Sequence, residues 1–158
     1  MPSGSSIAFN RMGILATGDI LQLQKVGQSP LEPDLSIVLP VFNEIEILVK
    51  AVEKISSLMK KHSFELIIAE DNSTDGTDML AASLAGANEH IRHIHRNVRF
   101  GRGYALNEAF RESRGRVLMY MDVDLSTALD HINDVVSRIK EYDIVVGSRL
   151  LKNSSVQR

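Results

Sequence analysis

From Leu35 onward, short apolar runs alternate with longer stretches in which apolar residues recur at helical spacing. That alternation predicts strand and helix units built into an α/β domain with a mainly parallel sheet. Strands are expected at Leu35–Leu39, Glu65–Ala69, Ile91–His95, Val117–Met121 and Ile144–Val146, and helices at Glu44–Lys61, Thr77–Ala85, Tyr104–Ser113 and Leu129–Glu141. In the first helix, Ile45, Leu48, Val49, Val52, Ile55, Leu58 and Met59 fall on one face, with Lys50, Glu53, Lys54 and Lys60 opposite, so that stripe should lie on the sheet. Asn43 with Glu46, Asp75 with Asp78 and Thr127 with Asp130 each place an acidic residue three positions after a short polar one, the pattern of a helix N-cap. Residues 1–34 show no sustained period and are rich in Gly, Ser, Pro and Gln. They read as a loosely structured N-terminal extension to a single domain at 35–158. Within them, Asp19–Val26 leaves helix and strand open.

At 158 residues, with 44% hydrophobic and 24% charged, the chain suits one domain with a real core. A net charge of −2 gives no global positive field to draw it onto nucleic acid. The chain has no cysteine, so a bound metal must be held by oxygen or imidazole. No apolar run approaches the roughly 20 residues that span a bilayer, and Met1 to Gly18 lacks the pattern of a signal peptide. A cytoplasmic location is expected, at most at the cytoplasmic face of a membrane.

Ligands of open parallel sheets sit beyond the carboxyl ends of the strands, and each distinctive polar cluster falls there. After the first strand comes Pro40-Val41-Phe42-Asn43-Glu44. Pro40 should end the ladder, Phe42 offers a flat face and Glu44 a carboxylate. After the second comes Glu70-Asp71-Asn72-Ser73-Thr74-Asp75-Gly76-Thr77. Asp75 reads as a structural cap, whereas Glu70 and Asp71 suit hydrogen bonds to a nucleobase or ribose. A basic loop from Arg96 to Asn107 carries Gly101-Arg102-Gly103 at a helix start, where backbone N–H groups and arginines can receive phosphate. It is neither a P-loop nor a Rossmann fingerprint.

In Met121-Asp122-Val123-Asp124-Leu125-Ser126-Thr127, residues two apart on an extended segment point the same way. Asp122 and Asp124 therefore converge while Val123 turns to the core. Two such carboxylates call for a cation between them, and oxygen-only ligation suits Mg²⁺ or Mn²⁺ with diphosphate oxygens. Gly147-Ser148-Arg149 offers an arginine clamp for diphosphate. His62, His90, His93, His95 and His131 read as structural or surface residues.

In this order, Val38 to Glu44, Glu70 to Thr77, Gly101 to Asn107, Asp122-Val123-Asp124 and Gly147-Ser148-Arg149 resemble the motifs of family 2 glycosyltransferases, among them the dolichyl-phosphate mannose and glucose synthases. The resemblance runs from about Leu35 to Leu151. It implies a GT-A fold, a Rossmann-like three-layer α/β/α arrangement, with a nucleoside-diphosphate sugar donor such as UDP-glucose or GDP-mannose and a divalent metal. It further implies that Pro40, Phe42 and Glu44 frame the nucleobase and ribose, that Asp71 reads the base with Ala69 behind it, and that Arg102 and Gly103 belong to the donor site. Asp122, Val123 and Asp124 would hold ribose and metal, and Arg149 would meet the diphosphate. Ser126 stands where mannose synthases often carry a glutamine as a further metal ligand, so a weaker contact is expected there. Asp122, Asp124 and Arg149 are thus the expected catalytic residues.

The family's catalytic domain continues beyond Gly147-Ser148-Arg149, so the chain looks like a donor-binding half. The activity implied is inverting transfer of a hexose to a lipid acceptor such as dolichyl or polyprenyl phosphate. The alternatives are a nucleotide-sugar-binding subunit or remnant and, remotely, a receiver-like signalling domain. The last should carry an acidic pair after the first strand and a lysine after the fifth, where this chain has Pro40-Val41-Phe42-Asn43-Glu44 and Gly147-Ser148-Arg149.

Overall fold

The structure, a computed structural model, describes residues 12–15, 21–24, 33–125, 129 and 131–147, the first two segments by their backbone alone. The elements in chain order are β1 (Met12–Leu15), β2 (Leu21–Gln24), β3 (Leu35–Val41), α1 (Ile45–Met59), β4 (Phe64–Glu70), α2 (Thr77–Ala87), β5 (Ile91–Ile94), α3 (Arg102–Glu112), β6 (Val117–Tyr120), α4 (His131–Arg138) and β7 (Ile144–Gly147). They form one sheet in the order β1-β7-β2-β6-β3-β4-β5. β6, β3, β4 and β5 are mutually parallel. β2 runs antiparallel between β6 and β7, and β1 adds parallel to β7. The ambiguous segment around Asp19–Val26 thus contains a strand.

Alternation along the central strands divides the core into two layers. Ile37, Leu39 and Val41 of β3 and Leu66 and Ile68 of β4 pack with Leu48, Val52, Ile55 and Met59 of α1 and with Ile132 and Val135 of α4. Val38, Ile67 and Ala69 point the other way, to Ala105 and Ala109 of α3. The small alanines let α3 approach the sheet closely, and both faces of the parallel strands are covered, as such sheets require. The buried stripe of α1 is Leu48, Ala51, Val52, Ile55 and Met59. Ile45 and Val49, expected in it, are 39% and 38% exposed, because Ala51 rather than they occupies the face toward the sheet.

Pro40 does not end β3. Val38 accepts from the Met121 N–H on the β6 side and Val41 from the Asp71 N–H on the β4 side. Alternation then turns the position of Pro40's missing N–H toward β6, which has ended at Tyr120. The β3–β4 ladder continues through Pro40↔Ala69 to Val41↔Glu70, which carries the first strand two residues further and places Phe42 at the mouth of the sheet.

The amino ends of the strands are tied by a buried polar cluster. The Ser36 hydroxyl (2.5 Å), the Arg114 N–H (2.6 Å) and the Arg92 guanidinium (3.0 Å) all donate to the Glu65 carboxylate. Gly115 N–H donates to Ser36 Oγ at 2.8 Å. Burial raises the Glu65 carboxyl, but the bonds from Ser36, Arg114 and Arg92 and the Arg92 charge together outweigh it, and the net shift is downward. A carboxylate lowered in the folded state contributes stability that is full above the unfolded value, about 4.3, and is lost as pH falls through the folded value. Glu65→Ala should therefore cost about 3 kcal/mol at neutral pH, and the gap from wild type in urea unfolding should narrow on acidification below about pH 4. Gly115→Ala should also destabilise, since a Cβ there would sit 2.4 Å from the Ser36 backbone nitrogen; a lowered thermal midpoint checks it.

Candidate functional site

Beyond the carboxyl ends of β3 and β4, two loops clasp each other. Asn43 takes a left-handed φ of 56°, a conformation asparagine tolerates. Its N–H donates to Ser73 Oγ at 2.9 Å, and its Oδ1 accepts from the Thr74 N–H at 2.8 Å. Asn43 therefore does not cap α1. The cap comes from the other loop: Glu44 N–H donates to Thr77 Oγ1 at 2.9 Å and Ile45 N–H to Asp75 Oδ2 at 3.2 Å. Asp75 Oδ1 also receives the Thr77 hydroxyl at 2.6 Å and the Thr77 N–H at 3.0 Å. The Thr77 hydroxyl bond, against the opposing effect of burial, and the Thr77 and Ile45 N–H groups hold the Asp75 carboxyl below its ordinary value. One carboxylate thus serves the starts of two helices, satisfying donors that helix geometry leaves open.

Asp71, 3% exposed, accepts from Phe100 N–H at Oδ1 (3.0 Å) and from Gly101 N–H at Oδ2 (2.7 Å). Gly101 holds a φ of 91°, which glycine adopts without steric cost. The basic loop is thereby pinned to the end of β4. Arg99 then lies over the Phe42 ring, 3.6 Å from its centroid. Arg102, in the first turn of α3, reaches Asp122 Oδ1 at 2.6 Å.

Asp122 and Asp124 are carried by a turn, not by extended backbone as the spacing suggests. β6 ends at Tyr120, the Leu125 N–H returns to the Asp122 carbonyl at 3.2 Å, and Leu125 has a φ of 53°. A leucine held there costs on the order of 1 kcal/mol, and such strain clusters at functional sites. Val123 is buried in the core, as expected. The turn brings both aspartates to a cleft of about 360 Å³ lined by Pro40, Val41, Phe42, Glu44, Asp71, Arg99, Arg102, Ala105, Asp122, Val123 and Asp124. Burial, followed by the negative charges of Asp124, Asp75 and Asp122, raises the Glu44 carboxyl. The acidic side of the cleft thus carries a negative potential, the environment a hard cation with oxygen ligands requires.

Of the sequence-derived residues, Pro40, Phe42, Glu44, Asp71, Arg102, Asp122, Val123 and Asp124 line this one cleft. Ala69 lies behind it in the core against α3. Gly103 is in the first turn of α3 but not in the lining. Ser126, Thr127 and Arg149 lie outside the described residues. Val41, Arg99 and Ala105 are additional. All three lie within clusters the sequence marks, but only Arg99 carries a charge that points to a ligand.

The family model described as Glycosyl transferase family 2 matches residues 36–158. The glycosyltransferase AglD of Haloferax volcanii is 40% identical over 131 residues, covering 79% of this chain and 21% of that protein. The dodecaprenyl-phosphate galacturonate synthase of Rhizobium johnstonii is 33% identical, covering 73% and 36%. The dolichol-phosphate mannosyltransferase of Pyrococcus furiosus is 29% identical, covering 78% and 35%. The chain thus spans about a fifth to a third of the length of these relatives. A mannosyltransferase from Pyrobaculum calidifontis, solved in complex with GDP-Man and Mn²⁺, superposes with a TM-score of 0.58 at 22% identity, over 73% of this chain and 35% of that one. That likeness extends the α/β arrangement to a GT-A fold. With the family match spanning all but the first 35 residues, the chain belongs to glycosyl transferase family 2.

Proposed function

We propose that this chain binds the donor for a hexosyl transfer: a nucleoside-diphosphate sugar of UDP-glucose or GDP-mannose type, together with Mg²⁺ or Mn²⁺, whose hexose passes with inversion to a polyprenyl or dolichyl phosphate at the cytoplasmic face of a membrane. The observation that carries this reading is the convergence of Phe42, Asp71, Arg99, Arg102, Asp122 and Asp124 on one cleft of about 360 Å³, within the roughly 300–1,000 Å³ of small-molecule sites. The names of two relatives support the acceptor class. The ligands of the solved mannosyltransferase support the donor and the cation.

Phe42 supplies a flat face for the base, from which Arg99 must move or on which it must share the stacking. Asp71 keeps lone pairs beyond the two bonds it already accepts and can take base or ribose donors. Arg102, paired with Asp122, stands ready to exchange that carboxylate for a diphosphate oxygen. Asp122 and Asp124 would hold the cation, with Ser126 as a weaker contact. When bound, the cation neutralises charge developing on the leaving diphosphate. Arg149 is assigned to the same diphosphate. The acceptor phosphate oxygen forms its bond to the anomeric carbon as the bond to diphosphate breaks. An already anionic acceptor needs no strong base, and electrostatic support of the leaving group is the chief requirement.

Calorimetric titration with UDP and GDP, with and without Mn²⁺, should show binding that depends on the cation. Asp124→Ala should weaken it by at least about tenfold, or 1.4 kcal/mol. Binding that ignores both the cation and the substitution would overturn the site. Asp71→Asn keeps an oxygen for one of the Phe100 and Gly101 N–H donors but turns an amide N–H₂ toward the other. It should destabilise the chain by about 1–3 kcal/mol and lower nucleotide affinity as the basic loop loosens, which urea unfolding and the same titration would register. Incubation with donor sugar and polyprenyl phosphate tests the transfer itself.

A further inference from the structure

A second polar cluster lies outside the cleft, where the ends of β4 and β5 meet the first turn of α2. Ile68 pairs with His93 and Ala69 with Ile94, so the next residues, Glu70 and His95, face each other. His93 and His95, two apart, share the face against which α2 presents Asp78. His95 Nδ1 is 2.6 Å from Glu70 Oε2 and 3.2 Å from Asp78 Oδ1, and His93 Nε2 is 3.5 Å from the same Asp78 oxygen. One donor atom from each of the four residues lies within 4.8 Å of all the others. The ligand atoms of a four-coordinate zinc with bonds of about 2.0–2.2 Å are about 3.4 Å apart, so adjustments on the order of 1 Å would close a shell.

Two observations separate this cluster from an ordinary ion-pair network. The His93 side chain is 11% exposed, and its Nε2, sealed from solvent, has only the long 3.5 Å contact with Asp78 in place of a proper hydrogen bond, although buried polar atoms are nearly always well bonded. The remaining positions are already oriented as an outer shell would orient them. His95 Nε2 is 3.1 Å from Asn97 Oδ1 and donates there, which directs Nδ1 inward. Glu70 Oε1 accepts from the Ser73 N–H and leaves Oε2 facing the imidazoles. Glu70 is wholly buried, while Asp78 and His95 remain a third or more exposed, which gives an ion a path in.

We propose that Glu70, Asp78, His93 and His95 form a binding site for a zinc-type divalent ion, separate from the cleft and independent of its function. Two imidazoles and two carboxylates without thiolate favour borderline first-row ions over Mg²⁺, so the site differs in kind from the all-oxygen pair of Asp122 and Asp124. The ion takes the place of the proton that His95 Nδ1 shares with Glu70, and that proton is released to solvent. It ties β4, β5 and α2 together at the residue preceding Asp71, behind the wall of the cleft.

The test uses the full chain, stripped with chelator and held in excess Mg²⁺. Calorimetry with Zn²⁺ should give one equivalent bound, and Co²⁺ should give the visible bands of four-coordinate geometry. His93→Ala and Asp78→Asn should each weaken binding by at least about tenfold, while the double variant Asp122→Ala/Asp124→Ala should leave it unchanged. Zn²⁺ should raise the thermal midpoint of wild type but not of the two cluster variants. The proposal is overturned if His93→Ala and Asp78→Asn bind Zn²⁺ as wild type does, if the Asp122/Asp124 pair proves to be the zinc site, or if Co²⁺ gives only the pale spectrum of six-coordinate, water-ligated ion. Should His93→Ala fail to fold, the Co²⁺ spectrum of the unaltered chain together with Asp78→Asn and the Asp122/Asp124 double variant still decides the matter.

Discussion

The cleft depends on one buried anion. Asp71 leaves the end of β4 and accepts the N–H groups of Phe100 and Gly101, a charge-assisted pair of bonds of the stronger kind. These bonds are the junction between the central strands and the basic loop. Through them Arg99 reaches the Phe42 ring and Arg102 reaches Asp122, so two cationic side chains acquire fixed places in the cleft. The clasp of Asn43, Ser73, Thr74, Asp75 and Thr77 does the same for the loops after β3 and β4. The carboxyl end of the sheet is thus held by polar bonds between loops, and the amino end by the Glu65 cluster. The apolar layers between them are ordinary packing.

Much of this was legible in the sequence because it rests on local periodicity. The strand and helix alternation and the position of the polar clusters at strand ends follow from spacing over a few residues. What was not legible depends on partners far along the chain. The cap of α1 comes from Asp75 and Thr77, some thirty positions away, so the local pattern at Asn43 and Glu46 suggested the wrong residue. Asp71 looked free to bind a ligand because nothing near it in sequence reveals the two backbone donors it already holds. Arg99 was one basic residue among several until its stacking on Phe42 distinguished it. The histidines read as structural or surface residues for the same reason, since Glu70 and Asp78 come together with His93 and His95 only through strand register and helix docking.

At two places the backbone departs from what local sequence suggests. Proline was expected to stop β3, but its missing donor faces a neighbour that has already ended, so the strand continues on its other side. The two aspartates were expected to converge by strand alternation, whereas a turn with a left-handed leucine presents them. In both cases the residue types were informative and the assumed local conformation was not. The backbone at 122–125 holds a shape that its own sequence does not prefer.

The position of β2 bears on how the molecule is assembled in time. β3, β4 and β5 are joined by short strand-helix-strand connections and can pair soon after each forms. β2 precedes them in the chain, yet it is bonded to β6 and β7, with Leu21 opposite Tyr120 and Val146, about a hundred or more residues away. Closing loops of that length costs entropy before any contact returns it, and such long-range pairings slow folding. The half of the sheet holding β3, β4 and β5 is therefore expected to form first. The half in which β2 joins β6 to β7 is expected to complete last, and β6 leads directly into the turn that carries Asp122 and Asp124.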